Sequence, residues 1–394
     1  MRVFISANGE GLGHVARMAA LFRALEEAGH TATIACYGKA LEWLQEKGVV
    51  SFRTLPEMRM VGAEGRFDLL RSIIASSGTP LDLMKAYLRE KDFINRNRFD
   101  AVVSDSRLST VLAGERSGLP TFYVTNQTEF KLPSIASRVS KMRVMALLTR
   151  ARLAPEVIRR IIDVPLSLPY GFADAVLIPD FKPPATICLP LLSHSLEMKK
   201  KTWFVGPMSL AALERTPPAK WRSRRTRVLV TLGGQQLRMG MVERLVRHVS
   251  HLSEFEFLIS SLFVRRNRDV GNVRLRIFLP DILPYAKTAD IIIMPAGHSG
   301  IMESILLRKP GVVIPDIGQA EQESNARMYK KLGLGEALTI DRLDKLGYVL
   351  RKLKDSYEYY IKRLDALARA GRGPQNGARN TTRMLEEWVE RMAY

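Results

Sequence analysis

The chain opens with an apolar run that stops at a glycine-rich turn and passes directly into a long amphipathic helix, and this constrains its fold more than anything else. RVFISA (2–7) is dense enough in apolar residues for a strand buried on both faces. NGEGLG (8–13) supplies a tight turn, and HVARMAALFRALEEAGH (14–30) spaces its apolar residues helically up to a glycine stop. TATIAC (31–36) then reads as a strand, KALEWLQEKG (39–48) as a helix, FDAVVSD (99–105) as a strand, the stretch to Ser117 as a helix and PTFYVT (120–125) as a strand. Strands that alternate with helices build a parallel sheet covered on both faces, so the sequence predicts a doubly wound α/β fold. Ligands of such folds collect where strands end and helices begin.

The alternation is interrupted once and restarts. GPMSLAALERTPPAKWRSRRT (206–226) is rich in Pro and Arg, has no period, and reads as a linker. After it come RVLVTL (227–232), the pair Gly233-Gly234, a helix at 240–251, and strands FEFLIS (255–260), VRLRIFL (273–279) and ADIIIM (289–294). A helix at 299–308 and the strand GVVIP (311–315) follow. At 394 residues, 46% hydrophobic and 25% charged, the chain can build two cores. The predicted organisation is a first α/β domain (1–205), the linker (206–226) and a second α/β domain (227–370). A C-terminal loop and helix (371–394) complete it, the helix at about 381–392 following a loop ARAGRGPQNGAR at 368–379.

The first candidate for chemistry is the turn itself. Gly9, Gly11 and Gly13 let a substrate approach the backbone, and the helix start behind them favours negative charge. The spacing is not that of a dinucleotide fingerprint, and a Walker lysine is missing. His14 stands at the first turn of the helix, either as a general base facing whatever the loop cradles or as a helix-start residue bonded to backbone.

The second is FLPDILPYAKTADIIIMPAGHSGIMESILLRKPGVVIPDIGQAEQESNARMYKKLG, from Phe278 to Gly333. Its glycine turn (Ala296-Gly297-His298-Ser299-Gly300), Glu303 in the next helix, Lys309-Pro310 and the run Glu321-Gln322-Glu323-Ser324-Asn325-Ala326 resemble the donor signature of the GT-B glycosyltransferases, in particular the MurG-type and UDP-glucuronosyltransferase-type enzymes. GEGLGH with Arg17 resembles the acceptor-side loop and catalytic histidine of that superfamily, and FVGP (204–207) its lead-in to the hinge. Departures concern the donor: Pro295 stands where a phosphate-binding histidine is usual, Arg308 at the glycine of GxP, Glu321 at the aspartate of the DQ pair, and Gln235 at a serine-like position. The resemblance implies the GT-B architecture, two Rossmann-like domains facing a cleft, with the C-terminal helix crossing back to the first domain.

It also implies roles. Gly233, Gly234 and Gln235 form a donor-side turn; Gly297, Ser299 and Gly300 would offer amides and a helix dipole to the pyrophosphate, with His298 either at a phosphate or on a surface loop. Glu303 can accept two hydrogen bonds from ribose hydroxyls, and Glu321 and Gln322 can bond the sugar. Phe278 and Leu279 would border the base or lie in the core. Asp105 would partner His14 or cap the next helix; Gly11, Gly13, Asn126, Gln127 and Glu129 would face the acceptor.

Charge narrows the partner. Lys plus Arg number 60 against 40 acids, a net +20, which implies a polyanionic partner. Lys131 to Arg160 holds eight basic residues and one acid, with Leu, Ile, Val and Met at near-helical spacing between them. Arg138, Lys141, Arg143, Arg150 and Arg152 would face anionic headgroups. The run interleaves aliphatic rather than aromatic residues and RNA- or DNA-binding signatures are absent, so nucleic acid is the weaker expectation. A nucleotide-sugar epimerase of the same fold is the other alternative. Cys36 and Cys188 lie in apolar stretches and are too few for a disulfide framework. The first apolar run is too short for a signal peptide, and no apolar stretch reaches about 18 residues. The expectation is therefore an inverting, metal-independent transferase without a cofactor, moving sugar from a UDP-sugar to a lipid-linked or polyprenyl-linked acceptor. It would sit peripherally on the cytoplasmic face of the membrane.

Overall fold

The computed structural model describes residues 1–57, 61–68, 71–72, 79–128, 168–192, 200–213, 215–233, 238–279 and 281–392. In the first lobe the elements are β1 (Arg2–Ala7), α1 (Leu12–Glu27), β2 (Thr31–Cys36), α2 (Gly38–Glu46), β3 (Ser51–Arg53), a small hairpin β4 (Gly62–Ala63) and β5 (Arg66–Phe67), α3 (Thr79–Asn97), β6 (Ala101–Asp105), α4 (Leu108–Arg116), β7 (Thr121–Val124), β8 (Ala175–Ile178) and β9 (Thr202–Phe204). The second lobe holds β10 (Thr226–Thr231), α5 (Met241–Val249), β11 (Phe255–Ser261), β12 (Arg268–Val270), β13 (Val273–Ile277), α6 (Leu283–Thr288), β14 (Ile291–Pro295), α7 (His298–Leu306), β15 (Gly311–Ile314), α8 (Ala320–Lys331), β16 (Gly335–Ala337), α9 (Leu346–Asp355) and α10 (Tyr357–Arg372), after which α11 (Gly377–Met392) ends the chain.

Each lobe carries a seven-stranded sheet, in the orders β3-β2-β1-β6-β7-β8-β9 and β12-β13-β11-β10-β14-β15-β16. Within these two sheets all pairings are parallel except β12 with β13. Burial on both faces explains the unbroken apolar strands: β6, β7, β8 and β15 are buried at every residue. The two-domain α/β fold is as the sequence predicts.

Three details differ. First, β3, β8, β9, β12 and β16 are only three or four residues long, too short for the alternation to reveal them. Second, the predicted loop at 368–379 is mostly helix. α10 runs through Gly371, where a side chain would collide with Leu306 and Phe181, so that glycine serves close packing rather than a turn. Third, the stretch between the sheets is packed down: Ala211 and Trp221 are buried in the second lobe's core.

After the break at 373–376, α11 returns to the first lobe. Leu385 joins that lobe's core, and the Trp388 ring meets Phe122 edge-on at 5.3 Å. The strand leaving β9 and the segment entering α11 cross at Gly206 and Gly377, and the backbones leave no room for a Cβ at either. No described helix is long and apolar enough to cross a membrane.

Candidate active site

Register builds the first half of the site. β1 and β6 are neighbours with Ala7 opposite Asp105, so the glycine turn and the Asp105 side chain leave the sheet side by side. Asn8 accepts from the Tyr37 hydroxyl at 2.7 Å and from the Glu10 amide at 3.0 Å, which fixes the turn. Gly11 caps α1 in an extended conformation with no side-chain cap, leaving the helix's first amides for a ligand. His14 follows, 30% exposed, with Nδ1 2.9 Å from Oδ1 of the fully buried Asp105.

A carboxylate only accepts, so Nδ1 carries the hydrogen and Nε2 is left as the basic atom. Asp105 is not the cap of α4: Glu57 fills that place, accepting from the Leu108 and Ser109 amides at 2.8 and 3.1 Å. Arg17, one turn beyond His14, donates Nε to Oδ2 at 2.8 Å and Nη2 to Oδ1 at 2.7 Å. Burial alone would push the Asp105 carboxyl up, but the Arg17 guanidinium and His14 pull it down to about 2. Behind it, buried Arg107 bonds Glu90 at 2.7 Å and the Leu55 carbonyl at 3.0 Å, pinning the turn after β6. In that turn Ser106 sits at φ 58° and its hydroxyl donates to Asp105 at 3.1 Å.

The second half is α7. Gly297 caps it without a side-chain bond, again leaving first-turn amides unclaimed. The Ser299 hydroxyl donates to the Gly13 carbonyl across the cleft at 2.8 Å, and a Cβ on Gly13 would lie 3.3 Å from that oxygen. Gly300 and half-buried Glu303 follow on the same helix. The lobes also meet where Asn126 donates to Glu321 at 2.8 Å. At the hairpin, the Phe67 amide donates to the Ile317 carbonyl at 2.8 Å and the Ile317 amide to Gly65 at 2.7 Å.

Several predicted residues are placed differently. The His298 ring is turned inward, buried, with Nε2 3.1 Å from Asp180 of the first lobe, so its side chain does not face the cleft. Gln322 is buried and committed: its Nε2 donates to Asp316 and Gln319, both at 2.6 Å, and its Oε1 accepts the Asp316 amide at 3.1 Å. Glu321 spends one oxygen on Asn126 and Asn325. Phe278 packs on the first lobe's core, and the Leu279 amide donates to Ser260 at 3.0 Å. The Gln127 carbonyl accepts from Tyr170 at 2.9 Å. Gly233 has φ 63°, and Arg238, which grips Asp316 with two bonds, also holds the Leu232 carbonyl beside it. Gly234, Gln235, Glu129, Arg138, Lys141, Arg143, Arg150 and Arg152 lie outside the described residues.

The fold also assembles a group that sequence spacing hides. Asp180, Cys188 and His298 bring ligand-type atoms within 4.8 Å of one another, all buried, where the sequence reading expected no such cluster. The Asp180 carboxylate there accepts the amides of Phe181, Ile187 and Cys188 at 2.7, 2.9 and 3.0 Å, so it already organises a turn. Burial pushes the Cys188 thiol well up. Arg17 and Arg238 are the site residues that sequence reasoning left without a role. The i+3 spacing of Arg17 from His14 was the signal available for the first.

Residues 1–184 match the family described as glycosyl transferase family 1, and residues 245–372 match the glycosyltransferase family 28 C-terminal domain. An uncharacterized glycosyltransferase of Methanosarcina acetivorans is 28% identical, with all of both chains covered. A UDP-N-acetylglucosamine–N-acetylmuramyl-(pentapeptide) pyrophosphoryl-undecaprenol N-acetylglucosamine transferase of Caldicellulosiruptor saccharolyticus is 27% identical over 30% of this chain and 33% of its own. Among solved structures, the kitacinnamycin glycotransferase superposes with TM-score 0.67 at 18% identity, covering 98% of each chain.

Proposed function

The chain is a glycosyltransferase of the GT-B type, and we propose that it transfers a sugar with inversion from a UDP-sugar to a lipid-linked or polyprenyl-linked acceptor at the cytoplasmic face of a membrane. The observation that carries this reading is the contact of Gly13 with Ser299, which sets the His14–Asp105 pair beside the uncapped start of α7. His14 Nε2 takes the proton of the acceptor hydroxyl as its oxygen bonds to the anomeric carbon. The bond from that carbon to the diphosphate breaks on the opposite face. The nucleotide leaves toward the first-turn amides of α7, which take the developing charge in place of a divalent cation. The lobe contacts at Asn126–Glu321 and at the hairpin favour exclusion of water, which limits donor hydrolysis.

A UDP donor is supported by the relative whose name specifies one. If Glu303 holds the ribose, Glu303→Ala weakens UDP binding by about 1.5–3 kcal/mol, the cost of two charge-assisted hydrogen bonds. Calorimetry checks this, and wild-type affinity in the variant removes Glu303 from the site. Incubation with UDP-sugar alone separates transfer from epimerisation, since an epimerase converts the donor with no acceptor present.

The acceptor is argued from charge. The surplus of seven positive charges between Lys131 and Arg160 gives useful attachment at ~1 kcal/mol per basic residue near an anionic surface. Met142, Val144, Met145, Leu147 and Leu148 would add shallow insertion and make attachment only partly salt-sensitive. The protein should co-sediment with anionic liposomes and far less with neutral ones, and replacing Arg138, Lys141 and Arg143 with Glu should release it without loss of UDP binding. Indifference to anionic liposomes at low salt, combined with tight binding to RNA or DNA, sinks the lipid reading.

A further inference from the structure

Arg17 has no part in the transfer step above, yet it is built into the centre of the site. It is 2% exposed and grips both oxygens of Asp105, a carboxylate already reached by the Ser106 hydroxyl. Its Nη2 also lies 3.2 Å from His14 Nδ1. Since Nδ1 carries the hydrogen that Asp105 accepts, this second approach sets two N–H groups against each other and makes no hydrogen bond. It is a contact of charge, and its sign is the informative part. A lone carboxylate 2.9 Å from the ring stabilises the imidazolium, and a ring that already holds two protons cannot take a third from an acceptor hydroxyl. A guanidinium at 3.2 Å opposes that effect.

We propose that Arg17 is a positioning residue that keeps His14 ready to act as a base: its fork fixes Asp105 so that the Nδ1–H tautomer is selected, and its charge opposes the pull of the carboxylate on a second ring proton. This rests on the reading of His14 as the base. The groups coupled to Asp105 from neighbouring elements are Tyr123 on β7 and Cys36 at the end of β2. Burial keeps the protons of both in place, the Cys36 thiol being pushed up to about 11. Arg107 lies beyond the strand end, occupied by Glu90 and Glu57, and Glu10 stands in the glycine turn. Of these groups, Asp105 and Arg17 are the ones that touch the ring, at 2.9 and 3.2 Å.

The test is a histidine-selective NMR titration of the full chain, with the His14 signals assigned by H14Q. In R17Q the ring should hold its proton at least about tenfold more tightly than in the wild type, and the acid limb of any turnover profile should move to higher pH with it. R17K keeps the charge and loses the fork. Its titration should return toward the wild type while its ring nitrogen shifts report a mixture of tautomers. A titration of R17Q that coincides with the wild type, or an R17K displaced as far as R17Q, overturns the proposal. If circular dichroism finds R17Q unfolded, R17K decides: an unchanged tautomer overturns it and a mixed one supports it. The ring titration needs no substrate, so failed transfer assays would remove the proposed function while leaving this measurement to stand or fall by itself.

Discussion

His14→Ala should lower turnover by ~10²–10⁴ while affinity for the proposed UDP donor stays near wild type, because the general base proposed for His14 acts only in the transition state. The substitution is clean for a structural reason. Arg17 and Asp105 hold each other through two bonds that do not involve His14, so the buried charges remain paired when the ring is removed. The lost ring is 30% exposed and supports little of the core. Stability should therefore change little, and a fall in turnover reports chemistry rather than unfolding. Single-turnover measurements beside a thermal melt check it, and full turnover in the variant reduces His14 to a helix-start residue.

The sequence exposes most of what a parallel sheet demands. β1, β2, β6, β7, β11, β14 and β15 are apolar along most of their length because helices cover both faces, and each reads directly from composition. His14 is legible too, since it follows a turn that ends a buried strand. Less legible is anything set by long-range contact. Nothing local says that His298 turns into the interior toward Asp180, that Gln322 is consumed by Asp316, or that the Asn126 amide bridges to Glu321. Gly13 reads as a residue that lets substrate near, whereas Ser299 of the other lobe is what comes near. A glycine pattern records close approach without naming what approaches. The same holds for Gly371, which lies in the stretch that reads as a loop and is packed against Leu306 and Phe181 inside a helix.

The largest combined effect on stability and rate is expected at Asp105. Asp105→Asn leaves the Arg17 guanidinium buried without its anion, which costs about 3–5 kcal/mol, more than a typical point substitution. It also disturbs the base. An asparagine amide can turn its NH₂ toward His14, so Nδ1 becomes the acceptor and Nε2 carries the hydrogen, pointing the wrong tautomer at the acceptor; turnover should fall ~10²–10⁴. Acid should narrow the stability gap. Asp105 titrates at about 2 in the folded chain against an ordinary value of 3.8, so its contribution of about 2 kcal/mol is complete above the ordinary value and is lost as pH falls through 2. Below that the wild type, with its carboxyl protonated, also strands Arg17, and the gap narrows by that amount. Denaturant midpoints at neutral pH and near pH 2 check both halves of the expectation. Equal midpoints at neutral pH would mean that the Arg17–Asp105 pair does not bear on stability, and a gap that stays constant into acid would mean that the carboxylate charge is not its source.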